Sequence, residues 1–245
     1  MKDFLQDLVA HTHTLTVLPL VKVTATAENA VIESVAEDRS VMLYATTHTP
    51  VNGLEPCIFG MPNLNKLDLH LKCPEYKTDA TIKVVQETRD SVKIPTGLHF
   101  TNATGDYEND YRFMNEEIVS AKVKRPKLKV EIVYDLDFIP TGVSIQRLKH
   151  QAAAHTEETV FQLVTVDNDL VFRFGDASTH AGSFVFHHNI NTTLKNTWSW
   201  PITPILSILN LNGNLTMKVS DQGSLQIIVD SGIAVYNYTI PAYTK

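Results

Sequence analysis

The sequence predicts an α+β fold built as two similar domains, each an antiparallel sheet carrying two helices. The first observation is that the halves repeat. Each runs as an amphipathic helix, a group of alternating strands, a second short helix, then more strands. The second is that the helices occupy matching places. DFLQDLVAHTHTL (3–15) corresponds to VSIQRLKHQAAAH (143–155), and GMPNLNKLDLHLKC (60–73) to WPITPILSILNL (200–211). The third is that turn residues fall at regular intervals between alternating strands, the pattern of antiparallel sheet.

The elements follow in order. The first helix places Phe4, Leu5, Leu8 and Val9 on one stripe. VKVTATA, AVIESVA and SVMLYATT alternate or are β-branched, with breaks at Glu28-Asn29 and Glu37-Asp38-Arg39. The second helix is expected to start at Pro62, where proline suits a first turn, and to bury Leu64, Leu67 and Leu71. Strands follow in ATIKVVQ, SVKIP, LHFTNA and DYRFM. Residues 116–131 differ from their surroundings. They hold five of the chain's 21 basic residues, no glycine, isolated apolar residues and an interrupting Pro126. The expectation is an extended connector at 116–131 between an N-terminal domain (1–115) and a C-terminal domain (132–245); a solvated edge strand is the alternative. In the second half, TVFQLVTV turns at Asp167-Asn168 into DLVFRFGD, and AGSFVFHH follows. NLTMKVS, SLQIIVD and IAVYNYTI then form a meander.

The 245 residues suit one or two domains of roughly 100–200 residues. A hydrophobic fraction of 43% supplies a core, and no apolar run reaches the length of a membrane span. No targeting segment is read, and two cysteines are too few for a disulfide framework, so a reduced cytoplasmic setting is expected. The net charge of −6 opposes nucleic-acid binding by the whole surface but leaves one face open to it.

Signs of catalysis are missing. There is no glycine-rich phosphate loop and no G-x-S-x-G. The close histidine pairs, His11/His13 and His187/His188, diverge at a helix end or point to opposite faces of a strand. They read as surface or interface residues, and neither metal nor cofactor is expected. The helices say more. Around the leucine stripe of the second helix, Asn63, Lys66 and His70 lie opposite and Lys72 to one side. In 143–155, Arg147 and His150 lie opposite Ile145, Leu148 and Ala152, with Lys149 flanking. Lys2 is the first helix's one cation. An ordinary solvated helix face accounts for these residues equally well. The mild positive face also suits a protein that encloses DNA loosely and slides.

Several segments resemble the DNA polymerase sliding clamps of the proliferating cell nuclear antigen type, including tailed-bacteriophage versions. FGMPNLNKLDLHLKC is similar to the family's second helix, with its Gly-hydrophobic-Asn-Leu start and Leu-Lys-Cys ending. AEDRSVMLYAT resembles the Asp-x-Ser-aliphatic strand of the first domain. DLVFRFGDASTHAGSFVFH resembles the second domain's hairpin and following strand, and YNYTIPAY the family's C-terminal ending. Two features depart from the pattern: the first and fourth helices carry few cations, and the connector is basic.

The resemblance implies a DNA-clamp fold assembled as a homotrimeric ring, a processivity factor that is not an enzyme. Its implied partners are double-stranded DNA, bound without sequence preference, a DNA polymerase and a clamp-loader ATPase. No membrane is involved, and a viral clamp would work in the cytoplasm of a host cell. DNA contact is expected from Lys2, Lys66, His70, Lys72, Arg147, Lys149 and His150. The subunit interface is expected to pair DYRFM of one copy with AGSFVFHH of the next through Tyr111, Phe113, Phe184 and Phe186. Partner peptides are expected at Val123, Pro126, Leu128, Ile240, Pro241, Ala242 and Tyr243. The competing reading is an all-β trimeric viral structural or tail protein.

Overall fold

The computed structural model describes residues 1–89, 92–124, 131–176, 178 and 180–243. The chain divides into two units: Met1–Pro126 with Ser231–Tyr236, and Lys127–Asp230 with Asn237–Lys245.

In the first unit α1 (Lys2–Thr12) precedes β1 (Leu20–Ala25), β2 (Ala30–Val35), β3 (Met42–Thr47) and β4 (Cys57–Pro62). After α2 (Leu64–Lys72) come β5 (Thr81–Arg89), β6 (Val92–Thr101), β7 (Glu108–Arg112) and α3 (Glu116–Lys122). The first four strands pair antiparallel in the order β4-β1-β2-β3, and the last three form a sheet β5-β6-β7. Alternation drives the first sheet. Val21, Val23, Ala30, Ile32, Leu43 and Ala45 are buried while their neighbours are half-exposed. Helix α1 packs on α2. Phe4, Leu5, Leu8 and Val9 of α1 are buried, as are Leu64, Leu67 and Leu71 of α2. Each such side chain is worth about 1.5–3 kcal/mol of burial.

Three expectations change here. Helix α2 does not begin at Pro62, which ends β4; the chain turns at Asn63 in the left-handed region (φ 53°), a conformation asparagine tolerates. The expected extended connector starts with a helix. Asn115 caps α3 by accepting from the Ile118 N–H at 3.1 Å. Glu116 and Glu117 in the first turn and Lys122 in the last complement the helix dipole. His11 is buried instead of lying at the surface. Its ring stacks on Tyr236 at 4.4 Å, and its Nδ1 lies 2.8 Å from the Asp7 carbonyl. Asp7 Oδ2 accepts from the Tyr236 hydroxyl (2.7 Å) and from Ser231 Oγ (3.0 Å).

The second unit holds β8 (Leu136–Phe138), α4 (Gly142–Ala154), β9 (Val160–Val166), β10 (Asp169–Phe174) and β11 (Gly182–His187). It continues with β12 (Trp198–Pro201), α5 (Ile202–Leu209), β13 (Asn214–Ser220), β14 (Ser224–Asp230) and most of β15 (Ala234–Pro241). One sheet runs β15-β14-β13-β8 and the other β11-β10-β9-β12. The β9–β10 turn puts Asp167 and Asn168 at φ 49° and 65°, the two left-handed residues of a tight hairpin. Thr141 caps α4 by accepting from the Ser144 N–H at 3.1 Å. Helix α4 packs on α5 and on β11. The aromatic core stacks Phe172 between Phe161 (4.6 Å) and Phe186 (4.1 Å).

Gly60 of β4 lies directly under α3. A Cβ there would come within 2.7 Å of Val119 Cγ2 and 3.0 Å of Met114 Cβ. Gly60→Ala is therefore expected to destabilise the protein by about 1–3 kcal/mol in urea titration. Amide exchange across α3 should accelerate, and adding Val119→Ala should return part of the loss. Equal stability of Gly60→Ala and wild type would mean that α3 is not anchored on β4.

Candidate nucleic-acid interface

Two helix pairs, α1 with α2 and α4 with α5, carry the residues expected to meet DNA. In each pair the buried stripe fixes which side chains face outward. On α2, burial of Leu64, Leu67 and Leu71 turns Lys66 and Leu69 to solvent, Leu69 with 61% of its surface exposed. On α4, burial of Ser144, Ile145 and Leu148 leaves Arg147 and His150 exposed and Lys149 half-exposed. Lys66, Arg147, Lys149 and His150 form no ion pair among the described residues. Asn65 and Gln146 are exposed beside them. Sequence reasoning passed over both because neutral amides leave no charge signature, although amides do donate to phosphate oxygens.

Three expected DNA contacts are otherwise engaged. Lys2 Nζ donates to the carbonyls of Tyr76 (2.6 Å) and Lys77 (2.8 Å). Lys72, largely exposed, pairs with Asp68 one turn back at 2.6 Å. His70 is half-buried, with its ring 5.3 Å from Phe100 and a buried Nε2 that has no hydrogen-bond partner. Burial first, and the Lys66 charge second, lower its pKa below the ordinary value. It is a neutral packing residue at pH 7, not a phosphate contact.

The strands expected at a subunit boundary are both edge strands: β7 ends the sheet β5-β6-β7, and β11 ends β11-β10-β9-β12. Their aromatic side chains face inward. Tyr111 is 2% exposed, and its hydroxyl donates to the Pro62 carbonyl. Phe186 is 1% exposed in the aromatic core. Phe113 is half-buried against Phe59 at 4.1 Å, and Phe184 half-buried against Phe172 at 5.6 Å. Tyr111 and Phe186 therefore cannot supply interface contacts. The outward features of these strands are their backbone edges and the residues of opposite parity: Arg112 with Glu108 and Asp110, both of which pair with His99, on β7, and Ser183, Val185 and His187, the last stacked on Phe138, on β11.

Solved structures share this arrangement of elements. One, of the C-terminal region of FEN-1 bound to A. fulgidus PCNA, superposes with a TM-score of 0.67 at 11% identity, covering 100% of this chain and 95% of that one. PCNA from Thermococcus kodakaraensis superposes with a TM-score of 0.67 at 10% identity, covering 99% and 97%. This chain has the fold of the DNA sliding clamps. No protein-family model and no curated protein sequence matches it.

Within this clamp fold the expected partner-peptide residues separate. Val123 is buried in the first unit and Ile240 in the second, so neither is available to a ligand. Pro241 is exposed, Ala242 half-exposed and Tyr243 52% exposed. Ala242 N–H donates to the Gly223 carbonyl (2.9 Å) and Tyr243 N–H to the Ser199 carbonyl (2.8 Å), which fixes the backbone and leaves the tyrosine ring outside. Pro126 and Leu128 lie outside the described residues.

The assignment of His70 carries a pH signature. An unfolded chain protonates this imidazole near pH 6.5, whereas the folded chain resists protonation to a lower pH. Its contribution to stability is thus complete above that range and is lost as the pH falls through it. His70→Phe should flatten the part of the stability–pH curve that lies below about pH 6.5, measured by urea denaturation, while leaving DNA affinity unchanged. A drop in DNA affinity with an unchanged pH curve would restore His70 to the DNA face.

Proposed function

We propose that this chain is a sliding clamp, a homotrimeric ring that encircles duplex DNA, tethers a DNA polymerase and is opened by a separate ATP-driven loader. The carrying observation is the clamp fold along nearly the whole chain, with Lys66 on α2 and Arg147 and Lys149 on α4 unpaired among the described residues, in a protein of net charge −6. Such a ring is a scaffold, not an enzyme. The five α-helices among the described residues count against the all-β structural reading. A phage-encoded clamp working in a host cytoplasm fits the sequence resemblance.

The mechanism is linkage, not affinity. A DNA-binding protein that neutralises many phosphates holds tightly and loses affinity steeply with salt. Lys66, Arg147, Lys149 and His150 are too few for that. They suffice to keep a threaded duplex centred while an acidic exterior repels other DNA. The exposed Tyr243 with Pro241 offers an aromatic anchor for a polymerase peptide, a residue type that often dominates such contacts.

Topology separates this mechanism from ordinary binding. Loaded onto nicked circular DNA, the protein should stay bound through gel filtration and should be released when the circle is linearised. Arg147→Ala with Lys149→Ala should lower loading without sequence bias and with a shallower salt dependence, by about one unit of log–log slope per lost phosphate contact. Tight retention on the linear product would exclude a ring.

Ring closure is assigned to the backbone edges of β7 and β11, since an unpaired edge is a liability that a neighbouring copy removes. On β7 the Phe113 N–H bonds Thr96 of β6, so Arg112, of opposite parity, aims its N–H at the outer edge. Arg112→Pro should keep the β6–β7 ladder yet yield monomers by light scattering. A folded Arg112→Pro protein that stays trimeric would place the interface elsewhere.

A further inference from the structure

A cleft in the first unit lies where the sheet edges of β4 and β6 part company. Its volume is about 420 Å³, and Cys57, Ile58, Lys93, Ile94, Pro95 and Glu116 are among the residues that line it. That size falls within the range of about 300–1,000 Å³ in which ligand pockets usually lie.

The cleft is the interrupted track of a strand. The end of β7 bridges the two sheets: Phe113 N–H donates to the Thr96 carbonyl of β6 at 2.9 Å, and Met114 exchanges two 2.8 Å hydrogen bonds with Gly60 of β4. One residue later Asn115 caps α3, and the chain leaves the track. The next positions on both walls are left without a ladder partner on this side. Strand β4 ends its sheet, with β1 on its other side. Gly60 aims its backbone groups at Met114, away from β1, so Ile58, two residues back, aims its N–H and C=O into the cleft. On β6, residues 93–95 pair with β5, while the β7 ladder stops at Gly97.

The rim is acidic. Glu116 and Glu117 line it, both exposed. Glu55 lies 3.8 Å from Lys93, the one Lys or Arg among the lining residues. Cys57 contributes a half-buried thiol, pushed up to about 11 by burial and by Glu55, so it is protonated and weakly nucleophilic at neutral pH.

We propose that this cleft binds an extended, arginine- or lysine-bearing peptide segment of a partner protein, which adds to the Ile58 edge of β4 as a short strand. Main-chain hydrogen bonds to Ile58 supply the recognition common to strand addition. Glu116 and Glu117 select basic side chains over acidic ones. The site lies wholly within the first unit and does not depend on ring closure or on DNA binding.

The probe is a fluorescent acetyl-Arg-Val-Arg-Val-Arg amide, with acetyl-Glu-Val-Glu-Val-Glu amide as its counterpart, titrated by anisotropy against the full chain. Two variants test the two parts of the site. Ile58→Pro removes the outward N–H without removing a bond to β1, since proline is tolerated on an edge in that orientation. Glu116→Gln with Glu117→Gln removes the acidic rim. The basic peptide should bind wild type, and each variant should weaken it by roughly 2–10-fold, the range for losing one hydrogen bond or charge contact. Saturating peptide should slow alkylation of Cys57 while leaving Cys73 unaffected. Absence of binding, equal binding by the acidic peptide, unchanged affinity in both variants, or no protection of Cys57 would each overturn the assignment.

Discussion

The first unit depends on one antiparallel bridge, the pair of 2.8 Å hydrogen bonds between Gly60 and Met114. It joins the end of β7 to the edge of β4, and so fastens the three-stranded sheet to the sheet that β4 edges. The bridge also explains the glycine. Backbone contact at this point brings α3 so close that Val119 occupies the space a Cβ would need. Once the bridge is formed, the chain cannot continue along the same track, because Asn115 caps a helix at once. The outer edge of β7 and the cleft beyond Met114 both follow from that turn.

The second unit reaches a comparable plan by other means. Its helix α4 docks on β11, where Gly182 lies beneath Gln151 and His155; an added Cβ would fall 2.4 Å from Gln151 Oε1. Its aromatic stack of Phe161, Phe172 and Phe186 is fully buried, as are Phe59, Tyr76, Phe100 and Tyr111 in the first unit. In both units a glycine marks the place where a helix comes down on an edge strand. Small residues at such points let helix and sheet approach closely, so different cores support one topology.

Legibility in the sequence followed the period of the signal. Helices α1, α2 and α4 and the hairpin at Asp167-Asn168 were readable because each repeats a pattern over many residues or needs two left-handed positions. Strands β4, β8 and β12 were not, since they are short or carry glycine and proline. Helix α3 was hidden by its length of seven residues with a single fully buried side chain, although its Asn115 cap and leading glutamates were present. Among site residues, the outward positions of Lys66, Arg147 and His150 followed from helical spacing alone. His70 did not, because Phe100, the ring it packs against, is thirty residues away in sequence. Tyr111 and Phe186 were misread for a related reason: an edge strand exposes its backbone on one side while its aromatic face still belongs to the core.

Identity of 10–11% at a TM-score of 0.67 shows how little of this fold is specified by particular residues. Alternation, a leucine stripe and a few close-approach glycines are enough, and many sequences satisfy them. On the proposed reading, the function makes the same light demand. A catalytic site needs several side chains held to a fraction of an ångström, whereas a ring needs only to close and to present a weakly positive lining. Two cations in Arg147 and Lys149 and one in Lys66 then suffice, because a threaded duplex is retained by topology whatever its affinity. Stronger phosphate binding would oppose movement along the duplex. On that proposed reading, the scarcity of cations on the helices and the acidity of the whole chain are parts of one physical solution, in which closure of a ring would supply the retention that charge would otherwise have to provide.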